Sequence, residues 1–147
     1  MRTKEIRENG RRVVVAVLDK GDEALSGITE AARNHNFDAA QITAVGAFAQ
    51  AEVGYFDRDK RDYDHIRVDE QVEVLSLLGD IADKDGAPVV HAHAVLGRRD
   101  GSVVGGHLLS AQVWPTLEVI LAEVAPALAK RVDPETGLAL IDLDASR

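Results

Sequence analysis

Three histidines near the middle of the chain have the residue type and spacing of a metal site. His91 and His93 lie in Val89-Val-His-Ala-His-Ala-Val95, and alternate side chains of a strand share a face, so both imidazoles project to one side. His107 joins them through a hairpin. A turn at Arg99-Asp100-Gly101 pairs residues whose numbers sum to about 200, which sets His107 opposite His93 with Cβ atoms ~5 Å apart. Three imidazole nitrogens at about 2.0–2.1 Å with a fourth position vacant are what an open zinc site uses. The chain has no cysteine, so the closed, thiolate-rich structural sites are excluded, and zinc or another divalent transition metal is the expected cofactor. A His-x-His pair alone is also a common feature of packed strands, and the facing third histidine tips the reading toward an ion. Gly105-Gly106 before His107 leaves room for a ligand, permits a bulge that turns the ring inward, or marks a loosely paired strand end.

Two carboxylates accompany the hairpin. Glu73, alternating with apolar neighbours, and Glu118, in Thr116-Leu-Glu-Val119, are the candidates for an acid/base or for a group buttressing the ligands; the alternative for each is a solvent-facing side chain. His35 ends a helix and His65 lies in a charged stretch, so neither is expected to ligate. Other chemistries lack their residues: there is no P-loop, no Gly-x-Ser-x-Gly, no His-Glu-x-x-His, no Gly-x-Gly-x-x-Gly and no thiol nucleophile.

The elements that must position these residues are mostly strands. Arg12 to Leu18 is a β-branched apolar run, and Thr3 to Glu8 pairs with it across Asn9-Gly10, a dipeptide suited to a tight hairpin turn. From Asp22, the expected N-cap, Leu25, Ile28, Ala31, Ala32 and His35 recur at helical steps. Phe37 to Val45 and Ala51 to Phe56 read as two strands separated by Gly46, with the preceding helix as the crossover that parallel pairing requires. Asp57 to Glu70 reads as a solvated loop. Strands follow at Val72 to Ile81, Pro88 to Leu96 and Val103 to Leu109. Trp114-Pro115 interrupts the chain before a further strand at Thr116 to Val124. Leu128 to Val132 and Leu138 to Leu143 form a last hairpin around a Pro- and Gly-bearing turn.

Length and charge bound the rest. With 147 residues the chain fits one domain, residues 1–147, that can fold without a disulfide or a metal. Neither a membrane-length apolar run nor a secretory leader is evident, and the expected location is the cytoplasm. The 17 basic and 25 acidic residues leave a net charge of −8, which repels phosphate backbones. Arg2, Lys4, Arg7, Arg11 and Arg12 make the N-terminus locally basic without the interleaved aromatic residues that bind single strands.

The succession Val72-Glu-Val-Leu-Ser-Leu-Leu-Gly79, Pro88-Val-Val-His-Ala-His-Ala-Val-Leu-Gly97, Asp100-Gly-Ser-Val-Val-Gly-Gly-His-Leu109 and Pro115-Thr-Leu-Glu-Val119 resembles the plants-and-prokaryotes conserved (PPC) domain over nearly the whole chain. The resemblance implies an α+β fold with a mostly antiparallel β-sheet and one main crossover helix, a homotrimer, and in bacterial members a metal on histidines matching His91, His93 and His107. It also implies a regulatory protein with an inherited DNA-binding label. The chain has no AT-hook, and the plant Gly-Arg-Phe-Glu-Ile-Leu-Ser-Leu segment reads here Glu70-Gln-Val-Glu-Val-Leu-Ser-Leu77, so plant-type partner contacts are not expected. The fold is similar to that of acetolactate decarboxylase, a three-histidine zinc enzyme. That likeness keeps open a zinc-dependent lyase or hydrolase acting on a small keto or hydroxy acid bound at the metal.

Overall fold

A computed structural model describes residues 1–124 and 128–146. The β-branched run after Asn9-Gly10 forms β2 (Arg11–Asp19), paired antiparallel with β1 (Arg2–Glu8). Both turn residues, Asn9 and Gly10, have positive φ, as a two-residue hairpin turn demands. Val14, Ala16 and Leu18 are fully buried. Helix α1 (Ala24–Asn34) covers them with Ala24, Gly27, Ile28, Ala31 and Ala32. Gly27 suits this packing, because a Cβ there would stand 2.6 Å from a Leu18 methyl carbon and force one of the two to shift.

The helix is capped by Glu23 rather than Asp22. The Glu23 carboxylate accepts from the Leu25 and Ser26 amides and from the amide of Ala111. Asp22 instead accepts from the Asp19 amide and faces the N-terminal ammonium group. One carboxylate thus satisfies two open helix donors and ties the helix start to the sheet.

Two long strands organise the rest: β3 (Ala40–Asp57) and, after β4 (Asp62–Val68), β5 (Val72–Lys84) and β6 (Ala87–Gly97), β7 (Val103–Glu123). β3 pairs with β5, β5 with β6, β6 with β7, and β7 returns to β3, so the four strands close a ring. β2 and β3 do not pair with each other; β7 lies between them and is antiparallel to both. A hairpin of β8 (Ala129–Val132) and β9 (Ala139–Asp142) docks on β5, through one parallel pair, Asp83 with Ala129, and the Asp83 amide to the Leu128 carbonyl. The core is one cluster including Phe37, Ile42, Phe48, Leu77, Ile81, Leu96, Leu108, Leu117 and Leu121.

Three departures from the sequence expectation concern where strands end. The two strands expected on either side of Gly46 are one strand, because the register shifts at the bulges beside Gly46 let β3 bend without ending. β7 runs through Trp114-Pro115, which are joined by a cis peptide. Pro115 falls where pairing jumps from Gly46 with Leu117 to Phe48 with Val113, so its missing N–H costs no ladder bond. Asp57 to Glu70 is not a loop, since Asp62–Val68 pairs along the outer half of β3 as β4. Its charged residues are those of an exposed edge, which polarity alone does not separate from a loop.

Candidate metal centre

The β6–β7 hairpin has the register inferred from the sequence: His93 pairs with His107 and Gly97 with Val103. Along β6, Ala92, Ala94 and Leu96 turn into the core, while His91, His93 and Val95 take the opposite face. The three imidazoles converge there. Each offers a ring nitrogen, and those atoms lie within 4.8 Å of one another. The ring centroids are 5.2–5.3 Å apart in every pairing.

The surroundings favour neutral rings at His93 and His107. Burial, and then the neighbouring His91 and His93, hold His107 down to about 4. Burial, and then His91, lower His93 as well. A neutral imidazole keeps the lone pair an ion needs. Among the described residues, Nδ1 of His107 is buried without a hydrogen-bond partner, a condition that costs free energy unless something else satisfies the atom. A divalent cation on this trio fits both observations, and the all-nitrogen donor set suits zinc.

Three further residues complete the site, none of them singled out from the sequence. Asp80, which pairs with His91 across β5–β6, accepts from His91 Nδ1 at 3.2 Å. Lys130 from β8 places its ammonium 2.7 Å from the other Asp80 oxygen. Burial works against the Asp80 charge, yet the bonds from His91 and Lys130 outweigh it and hold the carboxyl below its ordinary range. Tyr63 from β4 stacks on His107, with centroids 4.6 Å apart and planes at 23°. Gly54, between them in the sheet, makes this possible, since a Cβ there would stand 2.7 Å from the Tyr63 ring. Asp80 could have been found by extending the strand register from His91; Tyr63 and Lys130 carried no comparable signal.

The structure does not bring Glu73 or Glu118 into this group. Glu73 pairs with Gly97 at the other end of the β5–β6 ladder, and Glu118 lies between Val17 and Val45, eleven residues along β7 from His107. The carboxylate that reaches a histidine of the trio is Asp80, because it shares a pairing row with one. His35 bonds Thr3 and His65 bonds Glu52, both outside the trio. At the basic N-terminus, Arg2, Arg7 and Arg12 each face carboxylates, of Asp19, Glu5 and Glu123 among others. No helix among the described residues is long and apolar enough to cross a membrane.

Fold and site together define a small, mostly antiparallel β domain with a histidine trio on an outward sheet face. The profile of the Plants and Prokaryotes Conserved (PCC) domain matches residues 6–125, and the chain belongs to that family. A metal-containing protein from Archaeoglobus fulgidus is 37% identical, the match covering 88% of this chain and 92% of that one, with a TM-score of 0.82. A plant- and prokaryote-conserved protein from Pyrococcus horikoshii is 30% identical over 96% of this chain and 94% of its own, with a TM-score of 0.84. A protein from Ralstonia eutropha JMP134, provisionally called DNA-binding, is 28% identical over 88% and 90%, with a TM-score of 0.82. No curated protein matches the chain.

Proposed function

We propose that this is a zinc-binding, homotrimeric PPC-domain protein of regulatory type that acts in the cytoplasm, with His91, His93 and His107 as the metal ligands. The observation that carries the reading is the convergence of three ring nitrogens within 4.8 Å, one of the rings having a buried, unpartnered nitrogen. The metal-containing relative from Archaeoglobus fulgidus supports it. The chemistry such an ion supplies is Lewis acidity toward an oxygen ligand at its remaining position. Since a chain of this length needs no metal merely to fold, the ion serves function rather than stability. Metal analysis of untagged protein should find about one divalent ion per chain, falling sharply in His91→Ala. Unchanged metal content in that variant would remove the site from these residues.

A trimer is supported by the outward face beside the histidines, where Val45, Leu75, Leu78 and Ile120 are each about half exposed. Apolar side chains grouped in this way favour burial against a second copy. Direct DNA binding is disfavoured by the net charge of −8 and by the pairing of the N-terminal arginines with carboxylates. Duplex DNA should bind weakly or not at all even at low salt, where charge-driven contact is strongest.

A second reading, favoured by the Tyr63 ring on His107 and by a trio that fills three positions of a tetrahedral ion, is a zinc-dependent lyase or hydrolase for a small keto or hydroxy acid. Turnover of 2-acetolactate or related acids by metal-loaded protein, lost in His93→Ala, selects it. Metal-dependent binding of such acids without turnover selects the regulatory reading.

A further inference from the structure

The Lys130 side chain is only 2% exposed, and it arrives from β8, five residues beyond the segment that matches the family. A buried ammonium needs a counter-charge, and here that charge is Asp80 at 2.7 Å. Asp80 divides its two oxygens: Oδ1 faces Lys130 and Oδ2 accepts from His91 Nδ1. An ionised carboxylate only accepts, so the His91 proton must sit on Nδ1. In the neutral ring the lone pair is then on Nε2. Backbone geometry holds the relay in place, because His91 and Asp80 are paired residues of β6 and β5, and β8 joins β5 three residues further on, at Asp83 with Ala129.

We infer that the C-terminal hairpin is a working part of the metal site, in which Lys130 positions Asp80 and Asp80 in turn fixes the tautomer and orientation of His91. Both are positioning residues that act on the ion through His91. This rests on the metal-site reading above, yet it predicts a sign that simple electrostatics reverses. An ammonium close to a bound dication repels it, so removing Lys130 would tighten metal binding if charge were all that mattered. If Lys130 works by holding Asp80 in place, removing it weakens binding.

The test is zinc affinity of the full chain, measured by competition with a chromophoric chelator. Asp80→Ala should lose about 10- to 100-fold, the usual cost of removing a group that orients a metal-bound histidine. Lys130→Met should lose about tenfold, with Lys130→Arg restoring most of it. In the Asp80→Ala background Lys130→Met should cost nothing further, since its route to the ion is gone. That double variant carries no unpaired buried charge, so it also guards the comparison against misfolding. Unchanged or tighter binding in folded Lys130→Met, or losses that add in the double variant, overturn the proposal. An independent readout needs no metal: nitrogen-15 NMR of the apo protein should place the His91 proton on Nδ1 and show the preference lost in Asp80→Ala. Wild-type protein that binds no zinc but shows this tautomer refutes the metal reading and leaves the relay standing; the other tautomer refutes the relay.

Discussion

Two neighbouring regions on the same outward face of the sheet meet at Leu78, which pairs with His93 on one side and with Thr43 on the other. On the β6 side the outward positions hold histidines, backed by Asp80, Lys130 and Tyr63. On the β3 side they hold Val45 and Ile120, with Leu75 and Leu78 beside them, all exposed. Strand alternation produced both regions, and the chemistry of the outward residues separates them. Convergent polar groups with an unsatisfied nitrogen suit a small ligand that offers strong local bonds. A broad apolar surface suits another protein surface, which can cover area but supplies no ligand field.

The largest test of that division is His93→Ala, which removes the exposed member of the trio. Zinc affinity should fall by more than about 100-fold, beyond the cost of removing an outer positioning group, while equilibrium sedimentation shows an unchanged oligomer. Loss of the oligomer in that variant would merge the two regions into one shared site. Next is Ile120→Glu, which puts a carboxylate into the apolar patch near Glu118. The oligomer should dissociate to monomers at micromolar concentration, with zinc affinity altered by less than about threefold because the residue lies outside the trio. A monomeric wild type would show that the patch is not a subunit contact.

Gly54→Ala should act more gently. Its new Cβ would push the Tyr63 ring away from His107, and zinc affinity should fall about tenfold, the lower end for a group supporting a ligand. Full retention of affinity would reduce Tyr63 to a cover. The smallest effect is a pH dependence of the apo protein. In the unfolded chain His107 takes up a proton near its ordinary value of 6.5, whereas in the folded chain it does so only at about 4. Between these values the unfolded state binds more protons, so the stabilising contribution is complete above about pH 6.5 and declines as pH falls toward 4. Urea midpoints at pH 7 and pH 4.5 should differ less in His107→Asn than in the wild type. For the same reason, proton competition with zinc at this ring sets in below the pH at which free imidazole would protonate.

The histidine trio was legible because it rests on short-range rules. Alternation within β6 and a turn closed by Gly101 were enough to set His93 against His107. The first hairpin was legible for the same reason, its Asn9-Gly10 turn falling between two pairing runs. The helix was found, but its cap was misplaced by one residue, since Asp22 and Glu23 are both acids and only the fold brings the Ala111 amide within reach of Glu23. β4 was missed because a strand on an exposed edge can be as polar as a loop.

The supporting cast was harder to read. Tyr63 reaches His107 only because β4 folds back along β3 over Gly54. Lys130 reaches Asp80 from 50 residues away in the chain, and nothing in Ala129-Lys-Arg-Val132 distinguishes a buried lysine from an exposed one. Glu73 and Glu118 had the better sequence patterns and the wrong rows of the sheet.

The sequence by itself determined that this is one acidic, cysteine-free, strand-rich domain and that three of its histidines can meet across a hairpin, because pleat and turn geometry act over a few residues. The carboxylate, Asp80, follows from the local β5–β6 register, but which aromatic ring and which cation attend those histidines was decided by the tertiary structure alone. Those two come from β4 and β8, and their approach depends on how β4 lies along β3 and β8 along β5 beside strands distant in the chain, a long-range property that local spacing does not encode.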